Sequence, residues 1–299
     1  MRREPVLVGI AGDSGAGKST FVRKLQELLG HERVSVIELD GYHSLNRQER
    51  KLVGITPLHH RANNLGLFIE HLYRLRSGER VLRPVYDHET GDFSDPVWVE
   101  PRPFILVEGL HPFCFKVAAD MYDLKIYYDT HQELKIHWKI SRDASVRGYT
   151  VEQVVKEIRQ RQWDIRNFVE PQLAYADLVI CLYPVAANSA FHIGVKVKEP
   201  VAHSWFKFLH QKVAAKGLVR EWVGGREMQV LSFEEEMPCE VVEEMLRGAG
   251  PRAEAVLARA AGGVKVTPYQ LMLTLLVLRL EELLAERQEV GRRERYAVG

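Results

Sequence analysis

The chain has 299 residues, 46% of them hydrophobic and 27% charged, enough apolar material for a buried core and too much for a disordered chain. Its 41 basic and 40 acidic residues leave a formal net charge of +1, which excludes a nucleic-acid-coating protein held by bulk charge. Three widely spaced cysteines, Cys114, Cys181 and Cys239, offer neither zinc-knuckle spacing nor a disulfide framework.

Val6 to Ile10 reads as a buried strand and Gly12 to Lys18 as a glycine-rich turn. Ser19 to Leu29 follows as an amphipathic helix, with Gly30 at its C-terminal cap. Val34 to Leu39 is a second strand, ending at Asp40, and Asn64 to Arg76 a second helix. Val81 to Val99, punctuated by Pro84, Gly91 and Pro96, suggests irregular hairpins. Phe104 to Val107 and Leu124 to Tyr128 are further strands, with a helix from Gln132 to Ser145. Thr150-Val151-Glu152-Gln153 has the capping-box form and opens a helix that Pro171 must stop. Leu178 to Leu182 is another short strand.

This alternation predicts an α/β fold, a mostly parallel sheet with helices on both faces. Beyond about residue 188 the texture changes, which divides the chain into a core, 1–188, and a C-terminal extension, 189–299. Phe191 to Val201 alternates like an exposed strand, Glu234 to Cys239 is acidic, and Gly248 to Gly263 is rich in Ala and Gly. Thr267-Pro268-Tyr269-Gln270 caps a long helix to about Gln288, whose stripe of Leu271, Leu275, Leu278 and Leu283 reads as core. Leu271 to Leu278 is far shorter than the roughly 18 residues of a membrane span. Met1 to Pro5 carries no cleavage-site pattern. The expectation is a cytoplasmic chain with neither membrane nor nucleic-acid partner.

Gly12-Asp13-Ser14-Gly15-Ala16-Gly17-Lys18-Ser19 fits the phosphate-loop pattern, and Thr20 continues it into the helix. The glycines let backbone N–H groups form an anion-sized nest, Lys18 supplies a point charge, and the Ser19 hydroxyl suits Mg²⁺. A glycine-rich turn that binds nothing is the bland alternative, and the strand entering and helix leaving argue against it. Asp40 and Glu108 both lie at strand ends, which face one crevice in an open parallel sheet. Asp40 suits a general base and Glu108 a metal-holding carboxylate, although a lone Asp there is often only a cap. Basic residues gather around His43 and Arg47, with Arg50 and Lys51 behind, and around Lys139, Arg142 and Arg147. The second group reads as a lid spanning about 139–150, whereas Lys135 and Lys156 read as a solvated helix face.

In order, the motifs GDSGAGKST, D-G-Y-H-S-L-N-R, R-A-N-N-L, Y-D-H-E-T-G, V-E-G-L-H-P, K-I-x-R-D-x-x-x-R-G-Y-T and V-E-P-Q resemble those of phosphoribulokinases. These sit within the phosphoribulokinase and uridine kinase group of P-loop kinases. The resemblance covers about residues 5 to 185. It implies a P-loop kinase fold and ATP-dependent phosphorylation of the C1 hydroxyl of D-ribulose 5-phosphate, a step of carbon fixation. By position, it implies Asp40 as general base and His43, Arg47, Lys139 and Arg147 on the sugar phosphate. Arg142 would face ATP, Asp143 the metal or the transferring phosphoryl group, and Glu108 the metal; a homodimer is also implied. Arg61, Tyr86 and His88 favour a sugar-phosphate acceptor over a nucleoside, the rival acceptor of a uridine or cytidine kinase. A nucleotide-gated protein without turnover is the more distant alternative. Two departures from the pattern stand out. Gly41 stands where many members carry a second Asp, and Ala16 and Glu38 replace the cysteines of the light-regulated members, so that disulfide switch cannot form.

Overall fold

The computed structural model describes residues 4–147, 150–187, 190–202, 206, 219–247, 253–261 and 263–297. Its central sheet has eight strands, and the first of them sets its character. Val6–Ala11 (β1) is buried along its whole length. Val6, Val8 and Ile10 join one apolar cluster, while Leu7 and Ala11 join another on the opposite face. A strand covered on both faces needs such an unbroken apolar run.

β1 lies between Phe104–Gly109 (β5) and Leu124–Thr130 (β6), parallel to both. Val34–Glu38 (β2) adds to β5 and Leu178–Ala187 (β7) to β6, again in parallel. Helices cover both sides. Lys18–Leu29 (α1) buries Phe21, Val22 and Leu25 in the first cluster, and Leu65–Arg76 (α3) buries Phe68 and Leu72 in the second. The expected hairpin is Val81–Asp87 (β3) paired with Asp92–Val99 (β4), a separate two-stranded sheet. The short helices Arg47–Val53 (α2) and Lys116–Ala119 (α4) complete this half.

Gln132–Arg147 (α5) and Val151–Asp164 (α6) follow β6. The α-helix gives way before Pro171, through a π-helical turn at Ile165–Val169 and a 3-10 turn at Glu170–Ala174 that takes the proline near its start.

The sheet does not stop near residue 188. Ala190–Pro200 (β8) runs antiparallel to β7, followed by Arg226–Phe233 (β10) and Val219–Val223 (β9), in the order β2-β5-β1-β6-β7-β8-β10-β9. The 191–201 segment is therefore interior to the sheet, with Val195 and Val197 buried, rather than an exposed strand. Met237–Pro238 (β11) and Lys265–Val266 (β12) form a small ladder beside Cys239–Leu246 (α7) and Ala253–Ala261 (α8). α7 follows the acidic tract and α8 lies in the Ala/Gly-rich one, and neither helix was expected. Pro268–Ala297 (α9) runs past Gln288. Its Leu271, Leu275 and Leu278 are core, and Leu283 packs against them. Arg33 grips Glu281 through two hydrogen bonds of 2.6 and 3.0 Å, which fixes α9 to the core. Among the described residues, no helix is long and apolar enough to cross a membrane.

Candidate active site

Residues 12–19 arch between β1 and α1. Gly17, just before the helix, has φ 94°, a conformation that side chains rarely adopt. The Lys18 ammonium turns back under the arch and donates to the carbonyls of Gly12 at 3.0 Å and Asp13 at 2.8 Å. A helix N-terminus and a lysine charge thus converge on one nest of backbone N–H groups, an arrangement that receives phosphate oxygens. Behind the arch, Thr130 Oγ1 donates to the Ala16 carbonyl at 2.8 Å. Ser14, Gly15, Lys18 and Ser19 line a cleft of about 420 Å³. Gly12, Asp13, Ala16, Gly17 and Thr20 complete the loop outside that lining.

The sheet order brings the two strand-end carboxylates to the same cleft. β5 sits between β1 and β2, so Glu108 at its end lies between the phosphate loop and Asp40. The Ser19 hydroxyl donates to Glu108 Oε1 at 2.6 Å. Burial raises the Glu108 pKa, against the pull of Lys18 and of the Ser19 hydrogen bond. Asp40 stands in the 3-10 turn Leu39–Tyr42. Its Oδ2 lies 3.1 Å from His88 Nε2, and its side chain stays 40% exposed. Desolvation pushes its pKa up, but the His88 hydrogen bond and the nearby His43 and Lys18 outweigh that and hold it at about 2. Gly41 has a steric reason. A Cβ there would collide with the Pro84 carbonyl oxygen of β3, so this hairpin leaves no room for a second carboxylate.

The far wall of the cleft is cationic and aromatic. His43 is buried, with Nδ1 2.7 Å from Asn63 Oδ1. The Asn63 amide nitrogen donates to the carbonyls of Pro57 and His59, which fixes its oxygen toward the ring. His43 Nδ1 therefore carries the proton, and the neutral ring's Nε2 is an acceptor. Burial lowers the His43 pKa against the raising effect of Asp40. Tyr86 packs edge-on against His43, ring centroids 4.9 Å apart, and His88 packs against Tyr86 in turn. Arg47 lines the cleft but also clasps the hairpin turn, donating to the carbonyls of His88 and Glu89.

Three further arginines line the same cleft, Arg50, Arg83 and Arg161. Arg50 is buried and donates to the Tyr86 hydroxyl at 2.7 Å. Arg83 donates to Glu38 at 3.2 Å, and among the described residues its Nε has no hydrogen-bond partner. Arg50 was marked in the sequence as part of the basic group behind Arg47. Nothing local marks Arg83 or Arg161, which reach the cleft from β3 and α6.

The other expected residues are placed differently. Arg61 is exposed on a 3-10 turn and does not line the cleft. Lys139 is buried with its stem against Gly15, beside the phosphate loop rather than with His43. Lys135 is not solvated, as the sequence suggested, but inserted between Asp13 and Asp129. The side chains of Arg142, Asp143 and Arg147 lie outside the described residues.

The sequence model of the Phosphoribulokinase / Uridine kinase family matches residues 7–189. The phosphoribulokinase of Synechocystis sp. is 47% identical over 179 residues, 60% of this chain and 54% of that protein. The chloroplastic phosphoribulokinase of Arabidopsis thaliana is 37% identical over 199 residues, 61% of this chain and 50% of its own length. This chain thus spans about half the length of these relatives. The uridine kinase of Geobacillus sp. is 34% identical over 186 residues, 60% of this chain and 87% of that enzyme. A solved phosphoribulokinase from Rhodobacter spheroides superposes with a TM-score of 0.60 at 20% identity, over 96% of this chain and 99% of that one, a likeness of fold alone. With the family match covering more than half its residues, this chain belongs to the Phosphoribulokinase / Uridine kinase family.

Proposed function

We propose that this chain is an ATP-dependent kinase that phosphorylates the C1 hydroxyl of D-ribulose 5-phosphate, giving ribulose 1,5-bisphosphate and ADP. The observation that carries this reading is a second set of cations in the cleft. Besides the phosphate loop and Asp40, four arginines line it, Arg47, Arg50, Arg83 and Arg161. One cationic site suits the triphosphate, and the second suits an acceptor that brings its own phosphate. A nucleoside has no need of the second. The names of the relatives, phosphoribulokinases at up to 47% identity, point the same way.

In this reading the loop, Lys18 and the α1 N-terminus bind the ATP phosphates. Asp40 accepts the proton of the attacking hydroxyl and aligns its oxygen. A depressed pKa suits a base in a loose transition state, where the proton leaves late and orientation matters more than basic strength. His43, Arg47, Tyr86 and His88 hold the sugar phosphate, with Arg61 at its periphery. Ser19 and Glu108 present hard oxygen donors beside Lys18, a set that fits Mg²⁺. Asp143 would join them, and when bound the ion would neutralise charge on the phosphate oxygens. Lys139, Arg142 and Arg147 belong to a lid over 139–150, and closure would exclude water. Residues 1–188 would carry both substrates and 189–299 would extend the core, in a cytoplasmic homodimer.

The test is a coupled ADP-release assay with Mg-ATP against ribulose 5-phosphate, uridine, cytidine and pantothenate. Turnover confined to the sugar phosphate is expected. Turnover with a nucleoside alone would move the chain to the nucleoside kinases. ATP binding without turnover on any acceptor would make it a nucleotide-gated protein.

A further inference from the structure

The phosphate loop carries a carboxylate of its own, and the structure shows what answers it. Asp13 Oδ1 accepts from the Ser14 backbone N–H at 2.6 Å, so the carboxylate shapes the first turn of the loop. Its charge is awkward there, because a carboxylate beside a bound polyphosphate is a like-charge contact. Asp13 has 14% of its side chain exposed, so water screens little of that repulsion.

Lys135, in the first turn of α5, lies over this carboxylate. Its ammonium is 3.7 Å from Asp13 Oδ2 and 3.0 Å from Asp129 Oδ1. Burial lowers the Lys135 pKa, but the two aspartates more than offset this and raise it, so the side chain stays charged. Asp129 is fixed in turn by the Thr130 backbone N–H at 2.8 Å, and Thr130 holds the Ala16 carbonyl. The junction of β6 and α5 therefore braces the phosphate loop at both Asp13 and Ala16. One turn further along α5, Lys139 packs its stem against Gly15. Lys135 itself does not line the cleft.

We infer that Lys135 is a positioning residue for the nucleotide site: it neutralises Asp13 so that the loop keeps its carboxylate-shaped turn and still accepts a polyphosphate, and it sets the root of α5 against the loop. The inference rests on residues 12–19 being the ATP-phosphate loop.

Calorimetric titration of ATP and ADP into the full chain tests it, with Lys135→Met, Lys135→Arg, Asp13→Asn and the double variant. Lys135→Met exposes the Asp13 charge to the nucleotide, and affinity should fall about tenfold, more for ATP than for ADP. Lys135→Arg should retain affinity. Asp13→Asn keeps the oxygen that accepts from Ser14 and removes the charge, so it should bind within about threefold of the parent. The decisive variant is the double. With no carboxylate left to neutralise, its affinity should return to within about threefold of the parent. The Michaelis constant for the acceptor should stay unchanged throughout. Parental affinity in Lys135→Met, or a double variant as weak as Lys135→Met, overturns the inference. Should Lys135→Met fail to fold, the double variant and Lys135→Arg still decide. A parent chain that binds no ATP would instead overturn the phosphate-loop reading itself, and this inference with it.

Discussion

Nε2 of His88, on the turn between β3 and β4, stands 3.1 Å from Oδ2 of Asp40, in the turn after β2. The two residues are 48 positions apart in the chain, and the hairpin crossing above Gly41 brings them together. The contact helps hold Asp40 at about 2, below the ordinary aspartate value of about 3.9. A depressed carboxylate contributes its charge above the unfolded pKa and loses it only as pH falls through the folded one. Asp40 is thus fully ionised above about pH 4, and an acid limb of kcat/KM above that pH belongs to another group. His88→Ala removes the strongest contact favouring the charge and leaves desolvation to act. Its acid limb should move to higher pH than the parent's. Superimposable profiles would show that His88 does not tune the base.

Lys18→Ala and Ser19→Ala should each remove most turnover while leaving the thermal midpoint within a few degrees of the parent. Among the described residues Lys18 hydrogen bonds only to loop carbonyls, and Ser19 is exposed apart from its bond to Glu108. Neither fills the core. Ser19→Ala also strips buried Glu108 of a donor, so its pKa, already raised by burial, should rise further. Parental turnover in either variant with Mg-ATP would rule out the phosphate-binding role.

The sequence made some of this legible because certain chemistry leaves few options. A nest of N–H groups before a helix needs Gly, Lys and Ser at fixed spacing, and strand ends in a parallel sheet converge wherever they occur. Asp40 and Glu108 were readable for that reason. Arg83 and Arg161 were not, because only tertiary crossing brings β3 and α6 to the cleft. Lys135 misled for a related reason: a cation on a helix face looks solvated until Asp13 and Asp129 are seen to flank it. α8, Ala253–Ala261, carried a usable signal in its alanines, which favour helix strongly. β9 carried little, since Val219–Val223 is largely exposed and shows no clean alternation.

Activity should be indifferent to mild thiol oxidants. All three cysteines are free. Burial pushes the Cys114 thiol up to about 12 and raises that of Cys181 as well, which disfavours the reactive thiolate. The positions that would form a switch hold Ala16 and Glu38, and Glu38 accepts from Arg83. Diamide treatment followed by the kinase assay is the check. Reversible inactivation mapped to a disulfide between two of the three cysteines would contradict it.

His43→Ala and Arg47→Ala should raise the Michaelis constant for the sugar phosphate far more than that for ATP. Loss of Arg47's charged hydrogen bond to a phosphate should cost about 1.5–3 kcal/mol, and loss of the bond that the neutral His43 Nε2 accepts from a sugar hydroxyl about 0.5–1.5 kcal/mol. Arg47 also clasps the hairpin carbonyls, and the lysine side chain lacks the fork for two such contacts. Arg47→Lys should therefore recover only part of the loss. Equal increases for both substrates would assign these residues to the lid or to structure.

Asp40→Asn isolates the proton-accepting step. In the proposed reaction the attacking atom is a primary hydroxyl, a weak nucleophile at neutral pH. A carboxylate in hydrogen-bond reach accepts its proton as the bond to phosphorus forms and aims the oxygen in line. The asparagine keeps the shape and a hydrogen-bonding group, but it cannot take the proton. Turnover should fall roughly 10²–10⁴-fold, with ATP affinity little changed, because Asp40 stands in the turn after β2, outside the phosphate loop. Asp143 is the competing carboxylate. If it serves metal or phosphoryl placement, Asp143→Asn should alter the Mg²⁺ dependence, whereas Asp40→Asn should not. Both variants are compared at saturating Mg²⁺ and saturating substrates. Near-parental turnover in Asp40→Asn, with collapse of Asp143→Asn and no metal effect, would transfer the base to Asp143.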